Sequence, residues 1–301
     1  MKASVVCAAA LWALAAAFLP AAAQTSADPF PADSLQELRR ADGSREVGRV
    51  VEVRGDTIRF ETISGEFLDV RGRFVRVRPV RGRIVEGVFW EEDKHTTRLF
   101  FAPTGRTLRE GAGYGGVFLF LPFVGYGATD GVTLAGGIPW IGGSLRDTPA
   151  WIAPKVRVLD RPGAQVSTGV FAIRLPGDNE EYCAPYCGEL REAAWHGVAY
   201  AVGTFGSSDD ALHAGAGVYR TSGRTEVPVM VGGERRVSRR NKLITENWLI
   251  PGDGGAGSVG IRRLGDRWTV DYGLMFIFGE GAEDMPYFPI LSFSYAFGGG
   301  R

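Results

Sequence analysis

The chain has 301 residues with 34 basic and 34 acidic side chains and no net charge at pH 7, so it lacks the basic field that nucleic acid would require. Its 43 glycines and its aromatic residues, 11% of the chain, are interspersed with β-branched residues. That mixture favours strands packed closely in a curved sheet over disorder. We therefore expect an all-β protein with no nucleic-acid partner.

The N-terminus has the features of a secretion signal. Lys2 precedes an apolar run from Val5 to Leu19, and Ala21-Ala22-Ala23 forms a small-residue cleavage site before Gln24. The alternative, a retained membrane anchor, is less consistent with a run that is short and ends in a cleavage signature. We predict that residues 1–23 are a cleaved signal peptide and that the mature protein is exported.

Residues 34–92 are predicted to form a small β-rich periplasmic module. Turns such as Asp42-Gly43-Ser44 and Arg54-Gly55-Asp56 separate short strands at intervals of about ten residues. Through its D-G-S turn, G-D-T hairpin and T-x-x-G hairpin, this part resembles Sm-like and Src-homology-3-like small barrels. The resemblance implies contact with a periplasmic partner. RNA, which some such folds bind, fits neither the compartment nor the balanced charge.

From Thr96 onward the strands lengthen to about ten residues, as a tilted membrane-spanning strand requires. We count about twelve, with ten as the alternative. The predicted strands are 96–102, 114–126, 131–138, 151–160, 164–175, 195–205, 211–219, 226–237, 242–250, 258–264, 267–278 and 290–297. Apart from Ser222–Thr225, which is short where a long connection is expected, their connections alternate between short and long, which is typical of the periplasmic turns and outer loops of an outer-membrane barrel.

The final predicted strand shows the clearest alternation in the chain. Large apolar residues share one face and small residues share the other: Leu291, Phe293, Tyr295 and Phe297 against Ser292, Ser294 and Ala296. An aromatic alternating strand near the C-terminus of an exported chain is typical of a barrel that closes in an outer membrane. A soluble all-β protein is the alternative, but it would leave the aromatic faces and the alternating connections unexplained.

Several stretches carry a further resemblance. Thr97–Arg106 leads into Gly113-Tyr-Gly-Gly, and Pro122–Asp130 leads into Thr133–Gly137. Over roughly residues 96–297 the chain is similar to a group of uncharacterised exported β-barrel proteins of bacteria, in which such a strand-turn-strand block recurs. The resemblance implies a bacterial outer-membrane β-barrel and transfers no catalytic or ligand-binding residues. The expected fold is thus an antiparallel up-and-down transmembrane β-barrel, preceded by a small β-barrel-like domain.

Charged residues on the predicted strands indicate which faces line the lumen. A charge that faces lipid at mid-depth costs about 2–4 kcal/mol. Lys155, Arg157, Arg262 and Asp271 are therefore the candidate lumen-lining residues, and Asp271 is expected to pair with a cation across from it. Glu246 lies between apolar neighbours on its own face, and its orientation stays open.

Cys183 and Cys187 are the cysteines that follow the signal peptide. Export to an oxidising compartment favours a disulfide between them. Their C-x3-C spacing, with no second pair and no nearby histidine, gives little support to a metal or redox site. We predict a disulfide within an outer loop, 176–194, and no metal or cofactor.

No catalytic signature accompanies these features. Pairing about the turn near Ser207 would hold His196 and His213 roughly 20 Å apart along the ladder, so they cannot form a dyad. The patterns G-x-S-x-G and H-E-x-x-H do not occur. We therefore expect a protein that is not an enzyme.

Three functions remain compatible with the sequence. The first is a porin-like narrow channel, or a structural or assembly component of the outer membrane, without catalysis. The second is an outer-membrane hydrolase or lipid-modifying enzyme with a site at the rim. The third is a surface-contact protein that uses loop 176–194. The expected partners are outer-membrane lipid, the barrel-assembly machinery during insertion, and a possible periplasmic partner for residues 34–92.

Overall fold

The computed structural model describes residues 35–138, 149–175, 194–221, 224–279 and 287–298. The chain divides into two compact units, the first ending at Asp93 and the second beginning at Lys94. The predicted signal peptide and the cysteine pair, Cys183 and Cys187, lie outside the described residues. Within the described ranges, no helix has both the length and the apolar character that crossing a membrane requires.

The first unit contains an antiparallel five-stranded sheet and a separate hairpin. Its strands are β1 (Gln36–Arg40), β2 (Arg45–Arg54), β3 (Thr57–Thr62), β4 (Phe67–Arg71), β5 (Val75–Pro79), β6 (Gly82–Val85) and β7 (Val88–Glu91). The sheet order is β4-β3-β2-β1-β5, and β6 pairs with β7. As described, the outer strands β4 and β5 do not pair with each other, so the sheet is open rather than a closed small barrel.

Local turn chemistry and a small core hold this unit together. Ser44 donates its backbone N–H to Asp42 Oδ1 at 2.8 Å in the turn between β1 and β2. Hydrogen bonds from Ser44 lower the pKa of the Asp42 carboxyl below its usual value. Leu38 and Phe60 are fully buried. β1 was not among the strands expected from the sequence, because Gln36–Arg40 has only one apolar residue, Leu38.

The second unit is a closed antiparallel barrel. Its strands are β8 (Ala112–Phe118), β9 (Leu121–Thr129), β10 (Val132–Gly137), β11 (Ala150–Ile152), β12 (Lys155–Arg161), β13 (Ala164–Leu175), β14 (Ala194–Gly206), β15 (Asp210–Thr221), β16 (Arg224–Glu226), β17 (Val229–Ser238), β18 (Asn241–Ile250), β19 (Gly254–Leu264), β20 (Trp268–Gly279) and β21 (Tyr287–Gly298).

Each barrel strand pairs with its neighbours in chain order, and the first and last strands close the ring. β21 pairs with β8 over Ser292–Gly298 and Phe118–Ala112. β11 and β12 both lie between β10 and β13, while β16 and β17 both pair with β15. Each of these pairs fills one position, interrupted at Pro154 or Pro228, because proline cannot donate to a ladder. The barrel therefore has twelve strand positions, which confirms the predicted count.

Two predicted strands were nevertheless wrong. Residues 114–126 form a hairpin, β8 and β9, around a two-residue turn at Leu119-Phe120. Leu119 adopts a φ of 51°, which is rare for a residue with a bulky side chain, so the sequence carries no turn signal there. Residues 96–102 belong to no barrel strand and lie inside the lumen instead. One strand lost and one gained leave the total unchanged.

The outer face of the barrel is apolar along the middle of its strands. Exposed, outward-facing residues include Val124, Leu134, Val156, Val170, Val218, Val231, Val259, Leu274 and Leu291. Arg235 and Arg263 face outward near one end of the barrel, and Arg174 and Arg220 near the other. An apolar band between charged ends is what a membrane-spanning barrel presents to lipid.

The two ends of the barrel differ in their connections. At the end where β8 begins and β21 finishes, called the terminal end, the five strand connections are two or three residues long: 130–131, 162–163, 207–209, 239–240 and 265–267. At the opposite end, called the loop end, the two longest connections reach from Gly137 to Ala150 and from Leu175 to Ala194, whereas those after Phe118, Thr221 and Ile250 are two or three residues long. The long connections therefore all lie at one end, which is typical of an outer-membrane barrel.

Candidate functional site

A hairpin of the chain occupies the barrel lumen. This luminal hairpin, residues 94–110, folds back on itself where Leu99 N–H donates to Ala102 O at 2.9 Å and Thr104 N–H donates to Thr97 O at 3.1 Å. Lys94 Nζ donates to Asp266 O in one turn of the terminal end, and Thr107 Oγ1 donates to Asp130 O in another. The hairpin therefore enters and leaves at the terminal end, with its tip directed toward the loop end.

An ion pair on β19 and β20 holds the first arm of the hairpin. Arg262 donates from Nε to Asp271 Oδ1 at 2.7 Å and from Nη2 to Oδ2 at 3.0 Å, and both side chains are buried. The same guanidinium donates to His95 O and to Leu99 O, each at 2.7 Å. Two of the predicted lumen residues thus pair across the ladder and bind backbone of the hairpin.

Arg98 extends this network from the hairpin to the last strand. Its Nη2 donates to Ser294 Oγ at 2.8 Å, and its Nη1 lies 3.4 Å from Asp271 Oδ2. Its guanidinium also lies over the Phe123 ring, 4.7 Å from the centroid, so β9, β20 and β21 all contact this one side chain.

Glu246 holds the tip of the hairpin. Its Oε2 accepts hydrogen bonds from the backbone N–H groups of Phe100 and Phe101, both at 2.9 Å. Its Oε1 accepts one from Trp248 Nε1 at 2.8 Å. The orientation that the sequence left open is therefore inward. A carboxylate among apolar residues is stable there because the tip supplies donors that it would otherwise lack.

The second arm is held by neutral groups and by Lys155. Lys155 Nζ donates to Thr97 O at 3.0 Å and to Thr104 O at 2.9 Å. Ser167 Oγ donates to Gly105 O, and Gly105 N–H donates to Thr204 Oγ1, each at 2.7 Å. The carbonyl of Thr104 and both backbone groups of Gly105 thereby find partners on the barrel wall.

A second charged cluster surrounds Glu234 on β17. Arg106 Nη1 lies 2.5 Å from Glu234 Oε1, and Lys242 Nζ lies 3.0 Å from Oε2. His213 Nε2 is 3.6 Å from Oε1. All four side chains are buried, so Glu234 links the returning arm of the hairpin to β15 and β18.

Three side chains of this region contact one another in a row: Thr204, His213 and Glu234. Thr204 Oγ1 lies 2.9 Å from His213 Nδ1, with Glu234 beyond the far side of the ring. In some enzymes a nucleophile, its general base and the acid that orients the base are arranged in this order. Thr204 is 1% exposed and already accepts the N–H of Gly105. The observed geometry therefore makes the group an anchor for the hairpin.

Arg157 stands apart from the other candidate residues. It shares the inward face of β12 with Lys155, but its Nη2 pairs with Asp160 Oδ2 at 3.1 Å next to the turn at the terminal end.

The predicted lumen residues did not include five charged residues that the structure places there: Arg98, Arg106, Glu234, Lys242 and Glu246. A partial signal existed on β18, where Lys242 and Glu246 alternate with outward Leu243 and Thr245, but Glu234 lies between Gly233 and Arg235 and carries no such signal.

Inward-facing polar residues at the terminal half of the lumen are buried on nearly every strand. Their exposure is 3% or less: Thr133, Lys155, Ser167, Thr204, His213, Glu234, Lys242, Arg262, Asp271 and Ser294. Side chains that lined a water-filled pore would be exposed to it. The luminal hairpin therefore fills this half of the barrel.

Gly105 permits a close approach of the hairpin to the wall. A Cβ at this position would lie 2.2 Å from Gln165 O and 2.9 Å from the backbone nitrogen of Thr204. Because these are backbone atoms of paired strands, Gly105→Ala should destabilise the protein by about 1–3 kcal/mol. The measurement is denaturant unfolding in detergent. Gly115→Ala is the matched control, since a Cβ there meets no atom within 4 Å; equal losses in both variants would contradict the prediction.

Within the described ranges, no group of three histidine, cysteine or acidic residues is arranged to hold a metal ion.

No protein-family model matches the chain, and no curated protein matches it. Solved structures similar to it include OmpT, an outer membrane protein of Vibrio cholerae, in a loop L8 deletion mutant, with 12% identity, a TM-score of 0.35 and coverage of 87% of this chain and 96% of that one.

A second similar structure is Salmonella typhi OmpF in complex with daunomycin, with 8% identity, a TM-score of 0.34 and coverage of 87% and 95% of the two chains. The in-vitro folded trimer form of Vibrio cholerae OmpT aligns with 12% identity, a TM-score of 0.34 and coverage of 87% and 96%. At these TM-scores the likeness supports no argument about function, and the description of the barrel rests on its own strand pairing.

Proposed function

We propose that this chain is a bacterial outer-membrane β-barrel that is sealed from the periplasmic side by its own luminal hairpin. The burial of the inward-facing polar residues at the terminal half carries this proposal. The apolar outer band supports insertion into lipid, and the short turns of the terminal end support its periplasmic orientation. In this proposal the resting protein is a closed barrel without catalytic activity, and a narrow path opens only if the hairpin moves.

Removing the hairpin tip tests the seal. Thr97 and Thr104 are already joined by a hydrogen bond, so replacing residues 98–103 with two glycines shortens the hairpin without moving its ends. We expect the parent protein to show no steady conductance in planar bilayers and the shortened variant to conduct. The control has two glycines inserted between Arg239 and Arg240, in a turn at the terminal end, where the hairpin enters. This variant should show no steady conductance.

Two results would contradict the proposal. Steady conductance of the parent protein would mean that the hairpin does not seal the lumen. A shortened variant that gives no conductance, while still migrating differently in gels before and after heating, would mean that residues 98–103 do not seal the folded barrel. Fractionation of cells tests the location, since recovery in the soluble periplasm would exclude an outer-membrane protein.

The proposal also covers residues 34–92, the partners of the barrel and loop 176–194. We propose that residues 34–92 form a contact module for a periplasmic partner that is Sm-like or Src-homology-3-like in strand order but has an open sheet; the strand order and the 3-10 turn at Gly72–Phe74 support this. Membrane lipid and the assembly machinery remain the expected partners of the barrel. Surface contact through loop 176–194, with its predicted disulfide, is tested by deleting Cys183–Cys187 and measuring surface binding.

A further inference from the structure

An apolar cavity of about 570 Å³ lies between the tip of the luminal hairpin and the loop end. It runs along seven consecutive strand positions, from β13 to β20. Large side chains that line it include Phe101, Val202, Tyr219, Met230, Trp248 and Met275. Its volume falls within the roughly 300–1,000 Å³ that is usual for small-molecule sites. The hairpin thus closes one half of the lumen and forms the floor of an apolar chamber in the other.

Two polar side chains that line this chamber, Glu246 and Ser258, are already engaged, and the lining also includes Tyr200 and Tyr219. Glu246 accepts hydrogen bonds from the tip and from Trp248 Nε1. Ser258 Oγ donates to Glu246 O at 2.9 Å. Neither group is left to orient a polar ligand, and the buried carboxylate would repel an anionic one. A ligand can gain affinity here chiefly by burying apolar surface.

The form of the chamber favours an extended ligand. On β18 its lining reaches from Glu246 to Ile250, and on β15 from Gly215 to Tyr219. Four residues of strand span roughly 13 Å. The β15 side of the wall is thin, because Gly215, Ala216 and Gly217 follow one another there. Met230 and Met275, which have unbranched flexible side chains, can adapt to a chain of variable conformation.

We propose that this chamber binds a single extended hydrocarbon chain with an uncharged or cationic head, and that the head lies toward the loop end. The chain is either the acyl chain of a membrane lipid or that of a free amphiphile. This inference goes beyond the sealed-barrel proposal. It needs the folded barrel and the hairpin tip as its floor, but it does not depend on whether the barrel ever conducts.

Fluorescence quenching by brominated chains tests the site, because Trp248 lines the chamber. The protein is placed in nanodiscs of ordinary phosphatidylcholine and titrated with neutral bromoalkanols of increasing length. The signal from Trp248 is the difference between the parent and a Trp248→Phe variant. We expect saturable quenching, with apparent affinity rising about three- to fourfold for each added methylene.

Ala256→Phe fills the chamber from β19, and it should weaken the apparent affinity at least tenfold. Val259→Phe is the matched control, since Val259 faces outward on the same strand and should leave the affinity within twofold. Quenching that does not saturate, or that is equal in the Ala256→Phe and parent proteins, would show only chains at the lipid-facing surface and would overturn the proposal.

A second arm identifies the source of the chain. Nanodiscs of phosphatidylcholine brominated on its acyl chain should quench Trp248 in an Ala256-dependent way if membrane lipid enters the chamber. Quenching by the bromoalkanols alone would assign the chamber to free amphiphiles, and failure of both probes would overturn the site. Heat-dependent gel mobility confirms that the parent and each variant are folded barrels, so the absence of quenching in the folded parent protein counts against the ligand site and not against the sealed barrel.

Discussion

Arg262→Met is expected to destabilise the barrel by about 3–5 kcal/mol, because it leaves Asp271 buried without its nearest cation. Arg98 lies farther away, at 3.4 Å from Asp271 Oδ2, and cannot replace both short contacts. The carbonyl groups of His95 and Leu99 lose a donor in the same step. Urea unfolding followed by tryptophan fluorescence measures the loss.

Two further variants test the cause of this loss of stability. Arg263→Met changes the next residue, which is exposed on the outer face near the terminal end, and should cost within about 0.5 kcal/mol. In Arg262→Met/Asp271→Leu the uncompensated carboxylate is gone, so the double variant should be more stable than Arg262→Met alone. A loss below about 1 kcal/mol for Arg262→Met would show that the pair does not anchor the hairpin.

Glu234→Leu is expected to release the returning arm of the hairpin. The substitution removes the carboxylate shared by Arg106 and Lys242, which leaves two buried cations facing each other without an anion between them. The bond after Arg106 is a site for trypsin, and the side chain is 8% exposed in the docked state. A destabilisation of about 3 kcal/mol corresponds to a roughly hundredfold rise in the population open to cleavage.

The rate of tryptic cleavage after Arg106 checks this prediction. Glu226→Leu is the control, because Glu226 is partly exposed at the end of β16 and away from the cluster. Lys242→Met added to Glu234→Leu removes one of the two stranded cations and should slow the cleavage again. If Glu234→Leu is cut no faster than the parent, the cluster does not hold the hairpin.

The wall of the barrel was largely predictable from the sequence, because its physics is local. Alternation with a period of two places Leu291 and Phe293 outward and Ser292 inward, and the structure has them so. The orientation of charges followed from the cost of placing them in lipid. The break at Leu119-Phe120 was not predictable, since no glycine, proline, asparagine or aspartate marks it and the turn is fixed by tertiary contacts such as Leu119 N–H to Leu291 O at 2.8 Å.

The luminal hairpin could not be predicted in the same way. Leu99 and Phe100 are both buried although they are adjacent, which breaks the alternation expected of a half-exposed strand. The partners that bury them lie far along the chain: Glu246 is 146 residues from Phe100, and Arg262 is 163 from Leu99. No local pattern reports contacts at that separation, so the seven-residue segment 96–102 was assigned to the wall.

The chain order of the luminal hairpin has a consequence for how the barrel assembles. The hairpin precedes β8, yet Arg98 donates to Ser294 on β21, the last of the described barrel strands, 196 residues later. That same strand closes the ring by pairing with β8. Joining such distant segments carries a large loop-closure entropy cost. The β8–β21 seam and the docked hairpin close nearly the same long loop, so whichever forms first lowers the entropy cost of the other.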